Sequence, residues 1–111
     1  MNVNIRHRES VTIFDIESSI VDSDSLALKH IINEQLEAID TGQVKFVLNL
    51  EKVRMIDSSG LSILVATFTS IQRKGGRIVL LHGNIRSLIV MAKLVTIFDL
   101  YDNEDEAIAS L

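Results

Sequence analysis

Seven consecutive residues, Val44-Lys45-Phe46-Val47-Leu48-Asn49-Leu50, constrain this chain more than any other stretch. Through its middle the run is apolar at odd and even positions alike. As a strand it is therefore buried on both faces, the mark of a central strand in a parallel sheet. Parallel neighbours cannot be joined by a tight turn; they need crossover connections, usually helices. Amphipathic helical patterns should flank the run, and they do.

Before it, Leu28, Ile31, Ile32, Gln35, Leu36 and Ile39 recur at spacings of three and four, one stripe of a helix. Asp22, Ser23, Asp24 and Ser25 supply start signals, and Asp40-Thr41-Gly42 closes the pattern with Gly42 as the C-terminal cap. After the run, Leu61, Leu64, Val65, Phe68 and Ile71 share a helical face, ended by Lys74-Gly75-Gly76-Arg77. Ile78-Val79-Leu80-Leu81 is a second short buried strand. A third helix follows Asn84, with Ile85, Leu88, Ile89 and Ala92 on one side. Val95-Thr96-Ile97-Phe98-Asp99 reads as a short edge strand, and Asp102 to Leu111 as a terminal helix with acids at its start, where the helix dipole favours them.

At the other end, Val3, Ile5 and His7 alternate with Asn4, Arg6 and Arg8, then Glu9-Ser10 turns into Val11, Ile13 and either Phe14 or Ile16. Two strands joined by two residues form an antiparallel hairpin. The expected fold is α/β: a small layered domain spanning 1–111, with a mostly parallel central sheet of about five strands, an N-terminal antiparallel hairpin and about four helices.

Composition narrows the chemistry. With no cysteine among 111 residues there are no disulfides, thiolate nucleophiles or zinc-thiolate sites. A net charge of -4 with 11 scattered Lys and Arg, and few aromatics, makes a poor nucleic-acid surface. No apolar stretch reaches the roughly 20 residues of a membrane helix, and the first residues lack a signal-peptide core. A cytoplasmic protein whose partner is another protein is the expectation, with no nucleic acid, no membrane and no cofactor.

The functional candidate is Asp57-Ser58-Ser59-Gly60, where a strand region meets an amphipathic helix. Ligands and chemistry collect at such junctions. Asp57 or Ser58 can cap the helix, Gly60 allows close approach of another chain, and a hydroxyl there is exposed beside free N–H donors. Phosphorylation would add about -1.5 to -2 charge units. The positive helix end tolerates that charge, so the surface changes while the fold survives.

The run Val47-Leu48-Asn49-Leu50, then Val53, then Met55-Ile56-Asp57-Ser58-Ser59-Gly60-Leu61-Ser62-Ile63-Leu64, resembles the signature of STAS domains, in particular the stand-alone anti-sigma-factor antagonists of bacterial sporulation and stress switches. The resemblance covers nearly the whole chain, including the Lys74-Gly75-Gly76 turn. It implies a protein that binds an anti-sigma factor with serine kinase activity, is released when that kinase phosphorylates Ser58, and is reset by a phosphatase. Ser59 is the runner-up acceptor. Asp57 would help position the hydroxyl, and Ser59, Gly60 and the face from Leu61 would lie in the contact surface. Family members often carry a Gly-Glu-Leu-Asp-like turn before the first helix, beside the phosphorylation loop and in partner contact. Here Ser18-Ser19-Ile20-Val21-Asp22 replaces it, and only Asp22 stands in for the final acid. Nothing in the chain fixes monomer or weak homodimer.

Two other readings use the same residues. One is a STAS scaffold subunit of a larger signalling complex. The other is a small enzyme with Ser58 or Asp57 as nucleophile. A catalytic serine needs a histidine held by an acid, yet His7, His30 and His82 are widely spaced and there is no G-x-S-x-G elbow. Asp22, Asp24 and Asp57 read better as helix starts than as a metal site.

Overall fold

The computed structural model describes residues 1–39 and 42–111. Asp40 and Thr41, part of the expected end of the first helix, lie outside the described residues.

The chain runs β1 (Val3–Arg8), β2 (Val11–Ile16), α1 (Ser23–Glu37), β3 (Lys45–Asn49), α2 (Ser58–Arg73), β4 (Arg77–Leu81), α3 (Arg86–Met91), β5 (Leu100–Tyr101) and α4 (Glu104–Ala109). The sheet order equals the chain order, β1-β2-β3-β4-β5. β1 and β2 pair antiparallel, and every later pair is parallel. When right-handed crossovers all step in one direction across a sheet, their helices fall on one face. α1, α2 and α3 accordingly share one core with Phe14, Ile16, Phe46, Leu48, Leu50, Ile78 and Leu80. Phe14 and Phe46 meet edge to face at 4.9 Å between centroids. The alternate residues Val11, Ile13, Val47, Val79 and Leu81 face the other way and are covered by Ala107 and Ile108 of α4. No helix among the described residues is long and apolar enough to cross a membrane.

Two elements depart from the sequence expectation. α1 ends at Glu37 with Ala38 as its C-cap, before Gly42. The Ile39 N–H bonds Leu36 O, three residues back, so the last turn tightens and stops. Gly42, at φ +87, instead turns the connection toward β3. The edge strand is also not Val95–Asp99. Lys93 adopts a left-handed conformation, Leu94–Thr96 forms a 3-10 turn, and only Leu100 and Tyr101 pair with β4. The β-branched run loses to burial: Leu94 and Phe98, four apart, are both buried, and Phe98 packs edge to face on Phe68 at 5.3 Å. A helical turn buries both while leaving Val95 and Thr96 exposed, whereas a strand would put Thr96 on the same face as Leu94 and Phe98.

α4 is only six residues long, and charge fixes it across the hairpin. Its N-cap Asn103 accepts from the Glu106 N–H at 2.9 Å. Glu104 takes Arg6 and Arg8, and Arg6 in turn holds Asp15, whose carboxylate also accepts from Asn49 Nδ2 at 2.8 Å. The Arg6 guanidinium holds the carboxyls of Asp15 and Glu104 below the usual range, against the opposing effect of burial.

Two predictions follow from these elements. Glu9 and Ser10 both have positive φ, at 51° and 68°, the geometry of a two-residue hairpin turn that favours Asn-Gly. Glu9→Asn with Ser10→Gly should therefore raise stability by about 1 kcal/mol, read as a higher urea midpoint. Arg6→Met leaves Asp15 and Glu104 without their main donor and should cost about 1–2 kcal/mol at neutral pH. Because both carboxyls titrate low in the folded state, the deficit should be full above their unfolded pKa, near pH 4, and fade as pH falls below it; thermal midpoints from pH 7 to pH 2 check this.

Candidate functional site

Asp57 leaves β-extended backbone at φ -89°, ψ -177° and becomes the N-cap of α2. Its Oδ1 accepts from the Gly60 N–H at 3.0 Å, and its main-chain oxygen accepts from the Leu61 N–H at 3.0 Å. The cap expected at Asp57 or Ser58 is thus Asp57, and Ser58 is the first helical residue. Ser58 is exposed, and among the described residues its Oγ has no hydrogen-bond partner. Ser59 Oγ, one residue on, donates to Asp57 Oδ1 at 2.5 Å and lies 2.8 Å from Ser25 Oγ on α1.

The second oxygen of Asp57 reaches across to the other helix. Oδ2 accepts from the Asp22 N–H at 2.9 Å. Asp22 sits at φ 51°, ψ -128° and its own carboxylate makes no cap bond. What Asp22 brings to the site is a backbone N–H; its side chain is exposed and caps nothing. The Ser18–Asp22 turn is held in place by Ile20, which forms an isolated parallel bridge with Ile56: Ile20 N–H to Met55 O at 2.9 Å and Asp57 N–H to Ile20 O at 3.2 Å.

Gly60 is buried under that turn. A Cβ there would stand 2.5 Å from Ile20 O and 2.6 Å from Ile56 Cγ2. The close backbone approach expected at Gly60 is made by this chain's own Ile20. Leu61 is half-buried and packs against the main core. Leu26 and Met55, 56% and 62% exposed, are large apolar side chains next to Ser25 and Ile56 in the chain. The sequence reading gave Ser25 no role beyond a helix start, assigned Ile20 and Met55 no contact of their own, and missed Leu26. Ser25 was findable: it lies three residues before Leu28 on the same stripe, so a helix starting at Ser23 turns it inward.

His82 does not serve Ser58. Its Nε2 meets Asp102 Oδ1 at 2.5 Å, and its Nδ1 meets the Gly83 carbonyl oxygen. Among the described residues no three metal-ligating side chains converge.

Asp57 is the one strongly perturbed group of the site. The Ser59 hydroxyl, then the Asp22 and Gly60 N–H groups, lower its carboxyl from 3.8 to about 2. A depressed folded-state pKa stabilises the fold above the unfolded value, and that contribution is lost as pH falls through the folded one. Asp57→Ala should flatten the decline in melting temperature between about pH 4 and pH 2, while Ser59→Ala should raise the Asp57 pKa back toward the usual carboxylate range, as read by carboxyl carbon NMR titration.

An anti-sigma F factor antagonist of Paenibacillus polymyxa is 25% identical over 113 residues, covering 100% of this chain and 95% of its own. The fold superposes on an anti-sigma factor antagonist from Mycobacterium paratuberculosis with a TM-score of 0.81, at 24% identity, covering 98% of this chain and 92% of that one. It also superposes on the Bacillus cell fate determinant SpoIIAA in its phosphorylated form, with a TM-score of 0.71 at 15% identity over 98% of both chains. The STAS domain family matches residues 2–107, and this chain belongs to it.

Proposed function

We propose that this protein is an anti-sigma factor antagonist: it binds an anti-sigma factor that is also a serine kinase, is switched off by phosphorylation of Ser58, and is restored by a phosphatase. It is a binding module rather than an enzyme and works in the cytoplasm. One observation carries the reading. The Ser58 hydroxyl stands exposed at the first position of α2 with no partner of its own among the described residues, beside a carboxylate already tied to both helices.

The physics of the switch is local. In the unmodified chain, two large exposed apolar side chains, Leu26 and Met55, adjoin in sequence the Ser25 and Ile56 of this helix junction, and a partner would cover them. Phosphate adds about -1.5 to -2 charges next to the ionised Asp57. The free N–H groups of the helix start tolerate that charge, so the domain stays folded. A partner docking apolar or acidic groups over the same spot meets repulsion and uncompensated desolvation. Each 1.4 kcal/mol of such penalty is tenfold in affinity.

Ser58→Asp should weaken binding to the anti-sigma factor by about 10- to 100-fold or more, while Ser58→Ala should bind with or without ATP and take no phosphate. Isothermal titration against the purified anti-sigma factor, with circular dichroism to verify folding, checks both. Undiminished binding by Ser58→Asp would refute the mechanism.

A further inference from the structure

Two adjacent serines open α2, and their intrinsic chemistry does not separate them. Both are primary alcohols on exposed residues. Their surroundings do separate them. Ser58 Oγ has no hydrogen-bond partner among the described residues, whereas Ser59 Oγ has two: Asp57 Oδ1 at 2.5 Å and Ser25 Oγ at 2.8 Å. The Asp57 carboxyl, held at about 2, is ionised near neutral pH and can only accept. The single proton of Ser59 therefore lies on the line to Asp57. Ser25 must then be the donor of the bond it shares with Ser59. The chain runs one way, Ser25 to Ser59 to Asp57, and Ser25 is 3% exposed, so water hardly competes for its proton.

We propose that Ser25, acting through Ser59, is a positioning residue that decides which of the two hydroxyls accepts the phosphoryl group, occupying Ser59 and leaving Ser58 free. The proposal rests on the reading of Ser58 as acceptor and adds what selects it. In the transfer, the serine Oγ forms a bond to the γ-phosphorus of ATP. The bond from that phosphorus to the β–γ bridging oxygen breaks, ADP leaves with the electron pair, and the hydroxyl proton passes to a base of the kinase. Ser58 breaks no internal bond to enter that geometry. Ser59 would have to leave Asp57, give up the bond from Ser25 and turn away from α1. Asp57 is no substitute base for Ser59, since a carboxyl with so low a pKa holds a proton weakly.

The test compares wild type, Ser25→Ala and Ser25→Thr, each incubated with ATP and the purified anti-sigma serine kinase, with phosphosites quantified by tandem mass spectrometry. Amide NMR spectra establish that each variant is folded. Wild type should carry phosphate on Ser58. Ser25→Ala should raise the ratio of Ser59 to Ser58 phosphate by roughly tenfold, the scale of one lost hydrogen bond, and Ser25→Thr, which keeps a hydroxyl, should restore the wild-type ratio. A merely structural role for Ser25 would slow both sites together and leave the ratio alone. An unchanged ratio in a folded Ser25→Ala overturns the inference while leaving Ser58 as the acceptor. Wild type that takes phosphate on Ser59, or on neither serine, overturns the inference together with the proposed function.

Discussion

The Asp57 carboxylate joins two helix starts that the chain separates by a strand and a full helix. One oxygen closes the first turn of α2 through the Gly60 N–H, and the other accepts the Asp22 N–H at the mouth of α1. That clasp requires the Ser18–Asp22 turn to lie directly on α2, which the absent side chain of Gly60 permits and the Ile20–Ile56 bridge enforces. Replace Gly60 with anything larger and Ile20 must move, taking Asp22 and Ser25 with it. The electrostatics of the site follow from this packing: three donors converge on one carboxylate, so it stays charged, and its neighbour Ser58 is the hydroxyl left unengaged.

The sheet makes the clasp possible. Because strand order equals chain order, right-handed crossovers put α1 and α2 side by side on one face, both starting beyond the carboxyl ends of parallel strands. The opposite face has only α4 to cover it. A six-residue helix has little propensity of its own to be stable, and the Arg6, Arg8, Asp15 and Glu104 ion pairs fasten it to the hairpin. The two faces thus divide their roles. One buries a continuous apolar core and ends in the candidate site, and the other is closed by a short helix held by charge.

Much of this was legible in the residues. Helical and strand periods located the main elements, because long amphipathic stripes and a doubly apolar strand admit few alternatives. Asp57, Ser58 and Ser59 were readable as a helix start, and the surrounding block as a family signature. The region after α3 was misread because Val95, Thr96 and Ile97 favour strands locally, while a helical turn buries Leu94 and Phe98 and keeps the polar Thr96 between them exposed. The end of α1 was misplaced because a glycine with positive φ marks a turn without saying how far ahead of it the helix stops.

Spacings within a few residues are enough to set the alternation of strands and helices, the antiparallel hairpin and the position of the capped helix start. Packing of the helices sets the rest: Ile20 fills the space over Gly60, the two oxygens of Asp57 face different helices, and Ser25 engages Ser59 and leaves Ser58 free. Those relations join residues 34 to 40 positions apart, and no local period records which side chains meet once the helices pack.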